Sequence, residues 1–381
     1  MHDIAFIGGG PVGLSAALAA KRLGLDPIVF EAKSETAKSD PRVFALSYGA
    51  RLILERLGVW SPCLEAAPIR EVHVSQRGRF GHTILRASEL EIDALGYVVP
   101  YASLLAALHA RVVDAGVRVV SGAHVKALDA GADAATVHYE LDLDAESIEA
   151  RIVAQADGGS NLFAKYRSTD RDYGQIAVIA EIACGHAEPE HAYERFTGRG
   201  PIALLPVAGA HALIWTVPAG EAERLLALDD GAFEKAFCDA YGARIGEVHV
   251  RGPRASFRLK LHYAHRPVSD RHVLIGNAAQ TLHPVAGQGF NIGLRDAFEL
   301  ADALANTSAR GADLLEGLRS YRSSRRIDRA GGTFFTDLLV RAFSNDDPVL
   351  GLGRSLGLFA LDASGSTKRF LMRRMIFGNP G

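Results

Sequence analysis

The segment that most restricts the fold of this chain is its beginning. An apolar run, Asp3–Ile7, leads into Gly8-Gly9-Gly10-Pro11-Val12-Gly13, then into alanine-rich Leu14–Leu23. Gly24 follows, and a second apolar run, Pro27–Phe30, ends in Glu31. That order reads as strand, glycine turn, helix and second strand, the G-x-G-x-x-G form of a dinucleotide-binding βαβ unit. Each glycine has a task there: a tight turn at Gly8, close approach to a pyrophosphate at Gly10, close helix–strand packing at Gly13. Glu31 stands where a carboxylate accepts from ribose hydroxyls. The motif alone would also suit a βα turn with no ligand; the complete strand–helix–strand–acid order favours the dinucleotide.

A second stretch has the same logic. Val273–Asp296 opens with the apolar Val273-Leu274-Ile275, stops at Gly276, and runs through a loop holding Pro284, Gly287 and Gly289. From Phe290 the period becomes helical, with Leu294, Ala297, Ala301 and Leu304 on one face. A strand feeding a helix through a glycine loop aims free backbone N–H groups at one point, which suits negative charge. A plain αβ connection would need the same glycines for its turns.

Between these segments the pattern alternates in kind. Asp40–Leu46 is non-periodic and includes Arg42, which is either a surface arginine or one lying along a bound ligand; Tyr48–Leu57 is helical. Glu71–Ser75 and Gly96–Val99 read as strands, Ser103–Val113 as a helix, and Val117–Val120, Val125–Leu128, Ala135–Leu141 and Ile148–Ala156 as further strands. The last ends in Asp157-Gly158, a plain turn former unless it shares the ligand of the first motif. Ala177–Ala183, Tyr193–Phe196, Ala203–Pro206, Leu213–Val217 and Ala255–Leu261 form a β-rich layer around a helix at Asp229–Tyr241. The remainder is helical: Asn291–Ala305, Leu314–Arg329, Thr333–Phe343, Val349–Leu361 and a last segment from Lys368. The expected architecture is α/β (α+β): a Rossmann-like nucleotide-binding domain over 1–171 and 263–330, with an excursion around 71–100, an inserted β-sheet substrate domain over 172–262, and C-terminal helices over 331–381.

Composition excludes several classes. With 42 basic and 44 acidic side chains the formal charge is −2, which gives no global reason to expect nucleic acid. Cys63, Cys184 and Cys238 have neither metal spacing nor a disulfide pattern, so no metal is expected and a reducing compartment fits. Ile4–Ala20 and Pro201–Gly220 lack charge, but glycines and prolines interrupt both, and no transmembrane helix is expected.

Three motifs in order resemble the flavin-dependent aromatic-ring hydroxylases of the p-hydroxybenzoate hydroxylase type: the first glycine motif with Glu31, Asp157-Gly158, and Gly276-Asn277 followed by Pro284, Gly287-Gln288-Gly289 and Asn291. That family usually has aspartate where Asn277 stands, and serine and arginine where Asn161 and Lys165 stand. An amide oxygen can still accept from a ribityl hydroxyl, without the charge. Gly276–Pro284, Asp40-Pro41-Arg42 with Ala45-Leu46, and Tyr193-Glu194-Arg195-Phe196-Thr197 with Gly200–Pro206 look like the ubiquinone-biosynthesis branch, nearest its 2-polyprenyl-6-methoxyphenol type. Tyr321, Arg325, Asp328 and Phe343-Ser344-Asn345 extend the likeness, which runs from the first strand to about Asp362.

This resemblance implies FAD as cofactor and NAD(P)H as co-substrate, bound transiently because only one G-x-G-x-x-G is visible. O2 would form a flavin hydroperoxide that attacks an electron-rich phenol carrying a prenyl tail. By the same implication Gly8, Gly10 and Gly13 approach the pyrophosphate and Glu31 holds the adenosine ribose. Arg42 lies near the cofactor, Val125 offers backbone to adenine, and Asp157 and Asn277 reach pyrophosphate or ribityl oxygens. Pro284 presses on the ring, and the backbone of Gly287, Gly289, Phe290 and Asn291 faces the flavin's pyrimidine edge, where a helix N-terminus favours the charge of reduction. No catalytic base can be named; His283 is the candidate, against the commoner structural role of such a histidine. Lys368, Arg369, Arg373 and Arg374 interleave with Phe370, Leu371, Met372, Met375, Ile376 and Phe377. That segment fits either an anionic membrane surface or another ubiquinone-biosynthesis protein, or else a helix packed on its own body. The implied location is cytoplasmic, peripheral to the inner face of the membrane. Rival readings are a hydroxylase of another ring position or of a small soluble aromatic, and a flavin-binding scaffold subunit without turnover.

Overall fold

The computed structural model describes residues 1–34, 40–159, 166–343 and 348–378, leaving aside the side chains at 243, 286, 333–336, 339–343 and 348–350. Asn161, Lys165, Ser344 and Asn345, quoted above for the family likeness, lie outside the described residues, as does the side chain of Phe343.

The strand His2–Ile7 is the centre of the first sheet. Ile4, Ala5 and Phe6 have no solvent exposure, as expected of a parallel strand covered on both faces. It pairs in parallel with Pro27–Glu31 on one side and with the end of Asp144–Gln155 on the other. Arg118–Ser121 continues the sheet beyond Pro27–Glu31, and His272–Leu274 continues it beyond Asp144–Gln155. Two sequence-distant glycine loops, after Ile7 and after Leu274, therefore leave the same sheet edge. The helix Pro11–Arg22 packs on Gln288–Ala309 and Tyr101–Asp114, and its small Ala16, Ala17, Ala19 and Ala20 let these elements approach closely.

A second, eight-stranded sheet lies beyond. Its order is Gln280–Thr281, Val248–Ala264, Ser168–Cys184, Ala210–Pro218, Gly200–Val207, His191–Thr197, Glu71–Gln76 and His82–Arg86. On its outer face Trp215 packs against Phe233 and Phe237 of the helix Asp230–Tyr241, and the helix Ala219–Leu226 joins the same apolar cluster. A small sheet of Val43–Ser47, Gly96–Pro100 and Ala67–Ile69 sits between the layers.

Four details differ from the sequence reading. Asp40–Leu46, read as non-periodic, contains the strand Val43–Ser47, paired with Gly96–Pro100. Glu71–Gln76 pairs in parallel with His191–Thr197, so residues 71–86 belong to the second sheet rather than to a local excursion. A short helix, Ala219–Leu226, was not anticipated. Leu314–Arg329 and Thr333–Phe343 form one helix, Leu314–Phe343. Gly331 and Gly332 fall between the two stretches, and a Cβ on Gly332 would come 2.7 Å from Ile292 Cδ1. That glycine keeps a close helix crossing, and tertiary packing overrides its poor helix propensity.

No helix of the described residues is long and apolar enough to cross a membrane.

Candidate cofactor and substrate site

The first wall of the site follows from the glycine loop. Gly8 has φ +113°, and a Cβ there would lie 2.6 Å from Ala156 O, so only glycine suits the turn between two strands. A Cβ on Gly13 would lie 2.0 Å from Gly8 O, which marks a packing contact inside the loop. Gly10 is different: nothing stands within 4 Å of its Cβ position. It precedes the helix Pro11–Arg22, whose N-terminus no side chain caps. Glu31 takes the Gly9 N–H at 2.7 Å and the Lys33 N–H at 2.9 Å, which leaves acceptor sites on its carboxylate.

The second wall is the segment from His272 to Ala309. Gly276 (φ +59°) begins the loop, and its N–H donates to Asp296 Oδ2 at 3.2 Å. Asp296 has no solvent exposure; it also accepts from Gln280 Nε2 (2.7 Å) and Arg325 Nε (2.9 Å). Arg325 reaches Asp328 Oδ2 (2.6 Å) and Glu299 Oε1 (3.1 Å) as well. Burial works against the Arg325 charge, yet these carboxylates hold its pKa above the ordinary arginine value. Arg329 donates to Gln280 Oε1 and to the carbonyls of Ala264 and Ala279. A buried ionic cluster thus fixes the loop from behind. Asp296 was not singled out from the sequence; it stands about two turns into the helix Gln288–Ala309, and its partners Gln280 and Arg325 come from other elements.

Gly287 (φ +58°) caps the helix Gln288–Ala309, and a Cβ there would lie 2.9 Å from Ala45 Cβ. Gly289, like Gly10, has an open Cβ position. The Asn291 side chain is fully engaged: Nδ2 donates to Ala45 O (2.9 Å) and Gly287 O (2.8 Å), and Oδ1 accepts from Ser47 N–H (2.9 Å). It ties the strand Val43–Ser47 to the loop.

Between the walls lies a cavity of about 1190 Å³, larger than the roughly 300–1,000 Å³ common for ligand pockets. Gly8, Gly10, Glu31, Arg42, Val125, Asp157, Asn277, Pro284, Gly287, Gly289 and Phe290 all line it. Gly13 and Asn291 do not; they stand behind its surface and shape the loops. Arg42 is anchored on Asp40 (2.5 Å) and lies 4.6 Å from the centre of the Tyr101 ring. Hydrogen bonding to Arg42 holds the Asp40 carboxyl below its usual range. Asp157 accepts from Gln155 Nε2 (3.1 Å) and from its own turn at Gly159 N–H (3.1 Å). Asn277 is exposed at the cavity rim, its backbone carbonyl accepting from Thr281 Oγ1. Phe290 stacks on Phe44 with ring centres 4.4 Å apart.

The cavity changes character along its length. Its polar end is the nucleotide loop with Glu31, Ser34, Arg42 and Asp157. Its other end is apolar: Val72, Val74, Leu85, Leu205 and Ile214 from the second sheet, and Leu358, Leu361, Leu371 and Met375 from the C-terminal helices. Among the described residues, Glu194 alone brings a carboxyl into that end, and burial pushes its pKa up to about 8. Part of the residue's surface is open, and that surface is cavity wall rather than bulk solvent. Its place in Tyr193-Glu194-Arg195-Phe196 was visible in the sequence; its inward direction was not. His283, the candidate base, is fully buried off the cavity lining. Its Nδ1 accepts from Val285 N–H (3.2 Å), its ring meets Tyr173 edge-on, and burial lowers its pKa to about 4.

Residues 1–330 match the family model described as an FAD binding domain. The chain belongs to that FAD-binding family. The flavoprotein is 32% identical to the ubiquinone hydroxylase UbiL of Rhodospirillum rubrum, a match covering 97% of this chain and 88% of that protein. It is 30% identical to the 3-demethoxyubiquinol 3-hydroxylase of Escherichia coli, covering 96% of each. Its fold resembles that of the p-nitrophenol 4-monooxygenase PnpA of Pseudomonas putida, with a TM-score of 0.81, 17% identity, and coverage of 100% of this chain and 99% of that one. The residues fit FAD: an open glycine approach at Gly10, an uncapped helix N-terminus beside it, spare acceptors on Glu31 and a cavity of about 1190 Å³ running from them.

Proposed function

We propose that this flavoprotein is an FAD-dependent aromatic-ring monooxygenase of ubiquinone biosynthesis, acting with NAD(P)H and O2 on a phenol that carries a prenyl tail. One observation carries the substrate class: the cavity is continuous from the nucleotide loops to an apolar end built by the second sheet and two C-terminal helices. A small soluble aromatic would not need that length of apolar wall. The names of the two relatives support the same reading.

When bound, FAD reduced by NAD(P)H activates O2 for insertion into the ring. The chain's own residues do the rest. The backbones of Gly8 and Gly10 bind the pyrophosphate, and Glu31 takes the adenosine ribose hydroxyls. Val125 meets the adenine, and Asp157 and Asn277 accept from the linking sugar chain. Arg42 flanks the cofactor, Pro284 and Phe290 bound the ring, and the backbone of Gly287–Gly289 at the helix N-terminus favours negative charge there. Gly13 and Asn291 act by shaping these loops.

The protein is proposed to work at the inner face of the membrane, where such substrates reside. Lys368, Met372 and Ile376 seat the last helix on the body, while Arg369, Phe370 and Arg373 face outward. Leu352, Leu356 and Phe359 form an exposed apolar stripe on the neighbouring helix.

The test is turnover by purified holoprotein under labelled O2. NAD(P)H oxidation with one oxygen atom placed on a prenylated phenol supports the reading, as does accumulation of such a phenol in a deletion strain. Protein that oxidises NAD(P)H but transfers oxygen only to small soluble aromatics overturns the substrate class, and protein without flavin overturns the whole.

A further inference from the structure

We propose that Glu194 binds the ring hydroxyl of the substrate and takes its proton, making the ring electron-rich for hydroxylation. This rests on the monooxygenase reading and names the polar contact that reading lacks.

The argument begins with strand alternation. In His191–Thr197 the side chains of Ala192, Glu194 and Phe196 share one face, and all three line the cavity. Glu194 is paired with Val74 on one neighbouring strand and with Ala203 on the other. One strand further out on each side stand Thr83 and Ile214. These neighbours also line the cavity, and none offers Glu194 a charge. Across from them, the C-terminal helices present Leu358, Leu361, Leu371 and Met375.

The remaining titratable groups are accounted for elsewhere. Arg195 points to the outer face, donating to Ser75 Oγ (3.1 Å) and lying 5.3 Å from the Tyr241 ring. The Tyr193 hydroxyl accepts from Glu188 N–H (2.9 Å) on that same face. Asp362 is engaged by Thr83 Oγ1 (2.9 Å) and lies 3.5 Å from Lys368 Nζ. Tyr173 and His283 face each other behind the loop. Among the described residues, Glu194 is the one ionisable side chain of the apolar end, and none of their groups pairs with it.

An unpaired carboxyl in apolar surroundings is costly to keep. Nothing in the packing needs it, since leucine would fill the same wall. A phenol is the ligand that would satisfy it, because a hydroxyl on an otherwise apolar ring-and-tail molecule is the complement of this surface. Burial places the Glu194 pKa at about 8, between an ordinary carboxyl and a phenol, and near working pH, where a general base acts best. The step is a proton transfer: the substrate O–H bond breaks, a Glu194 O–H bond forms, and the electron pair stays on the phenolic oxygen and is shared with the ring. The proton leaves to solvent after product departs.

The test uses FAD-loaded wild type, Glu194→Gln and Glu194→Leu. Oxidised holoprotein is titrated with a prenylated phenol and with its O-methyl ether, and binding is read from the flavin absorbance without turnover. Wild type is expected to prefer the phenol by about tenfold or more, the worth of one good hydrogen bond to a buried group. Glu194→Leu should keep its FAD and its fold but bind both ligands alike. Glu194→Gln should keep the preference and lose about a hundredfold or more in kcat/KM. The wild-type rise of kcat/KM toward pH 8 should also vanish in that variant. A Leu variant that still prefers the phenol, or a Gln variant with wild-type rate and pH profile, overturns the proposal while leaving the monooxygenase reading intact. Wild type that hydroxylates no phenol overturns both.

Discussion

Gly10 and Gly13 sit in one loop and answer to different constraints. The Cβ position of Gly10 is empty and its backbone is extended (φ −73°, ψ 175°), so valine fits the folded chain. Gly10→Val is therefore expected to fold with wild-type stability and to lose FAD, because the new side chain occupies the path of the pyrophosphate. Thermal unfolding and flavin content check both halves; retained FAD would remove the dinucleotide assignment. Gly13→Ala drives a methyl against Gly8 O and should cost about 1–3 kcal/mol in urea unfolding. His283 gives a pH prediction. Burial lowers its folded pKa from 6.5 to about 4, so folding favours the neutral ring. The stability tied to that ring is full above pH 6.5 and is lost as pH falls toward 4. Urea unfolding between pH 7.5 and 5 should show a decline of up to about 1.4 kcal/mol per pH unit from this residue. His283→Gln should flatten it.

At the scale of elements, the strand–loop–helix from His272 to Ala309 depends on charges placed behind it. Arg325 is 2% exposed and donates to Asp296, Asp328 and Glu299. Arg325→Met leaves Asp296 charged and buried with only Gly276 N–H and Gln280 to meet it. The expected loss is about 3–5 kcal/mol, the usual cost of breaking a buried pair from one side. FAD affinity should fall with it, because the loop that carries Asn277 is then held less firmly; unchanged affinity in a destabilised variant would separate the cluster from the site. Local pattern made the strand at Pro27–Glu31 and the helix at Gln288–Ala309 legible, since each has a clear period and a clear stop. It did not reveal Val43–Ser47, whose partner is Gly96–Pro100, or the pairing of Glu71–Gln76 with a strand more than a hundred residues away. Such partners leave no local mark. Gly332 is a related case: it serves Ile292 on another helix, and its own helix merely tolerates it.

For the molecule as a whole, the nucleotide end of the site was readable because glycine geometry and a terminal acid leave a compact signature. The apolar end was not, because it is assembled from five strands and two helices whose inward residues look like ordinary core until the face of the sheet that lines the cavity is known. The same two helices that line it, Pro348–Ala363 and Gly365–Phe377, also carry exposed Leu352, Leu356, Phe359 and Phe370, the last 72% exposed. Apolar side chains on both faces of one helix pair would let a prenyl tail pass from a bilayer into the cavity with little contact with water. Arg369 and Arg373 beside Phe370 would add attraction to anionic headgroups. Holoprotein is accordingly expected to sediment with vesicles containing anionic lipid, less so as salt rises and less so with neutral vesicles. Arg369→Ser and Arg373→Ser should each weaken binding by about 1 kcal/mol, roughly fivefold. Phe370→Ser should weaken it without changing the salt dependence, because it removes buried apolar area and no charge. Turnover of a short-tailed, water-soluble phenol should be unaffected in all three variants, whereas turnover of a long-tailed phenol presented in vesicles should fall with binding. Equal sedimentation with neutral and anionic vesicles, or none with either, would assign this face to a protein partner instead.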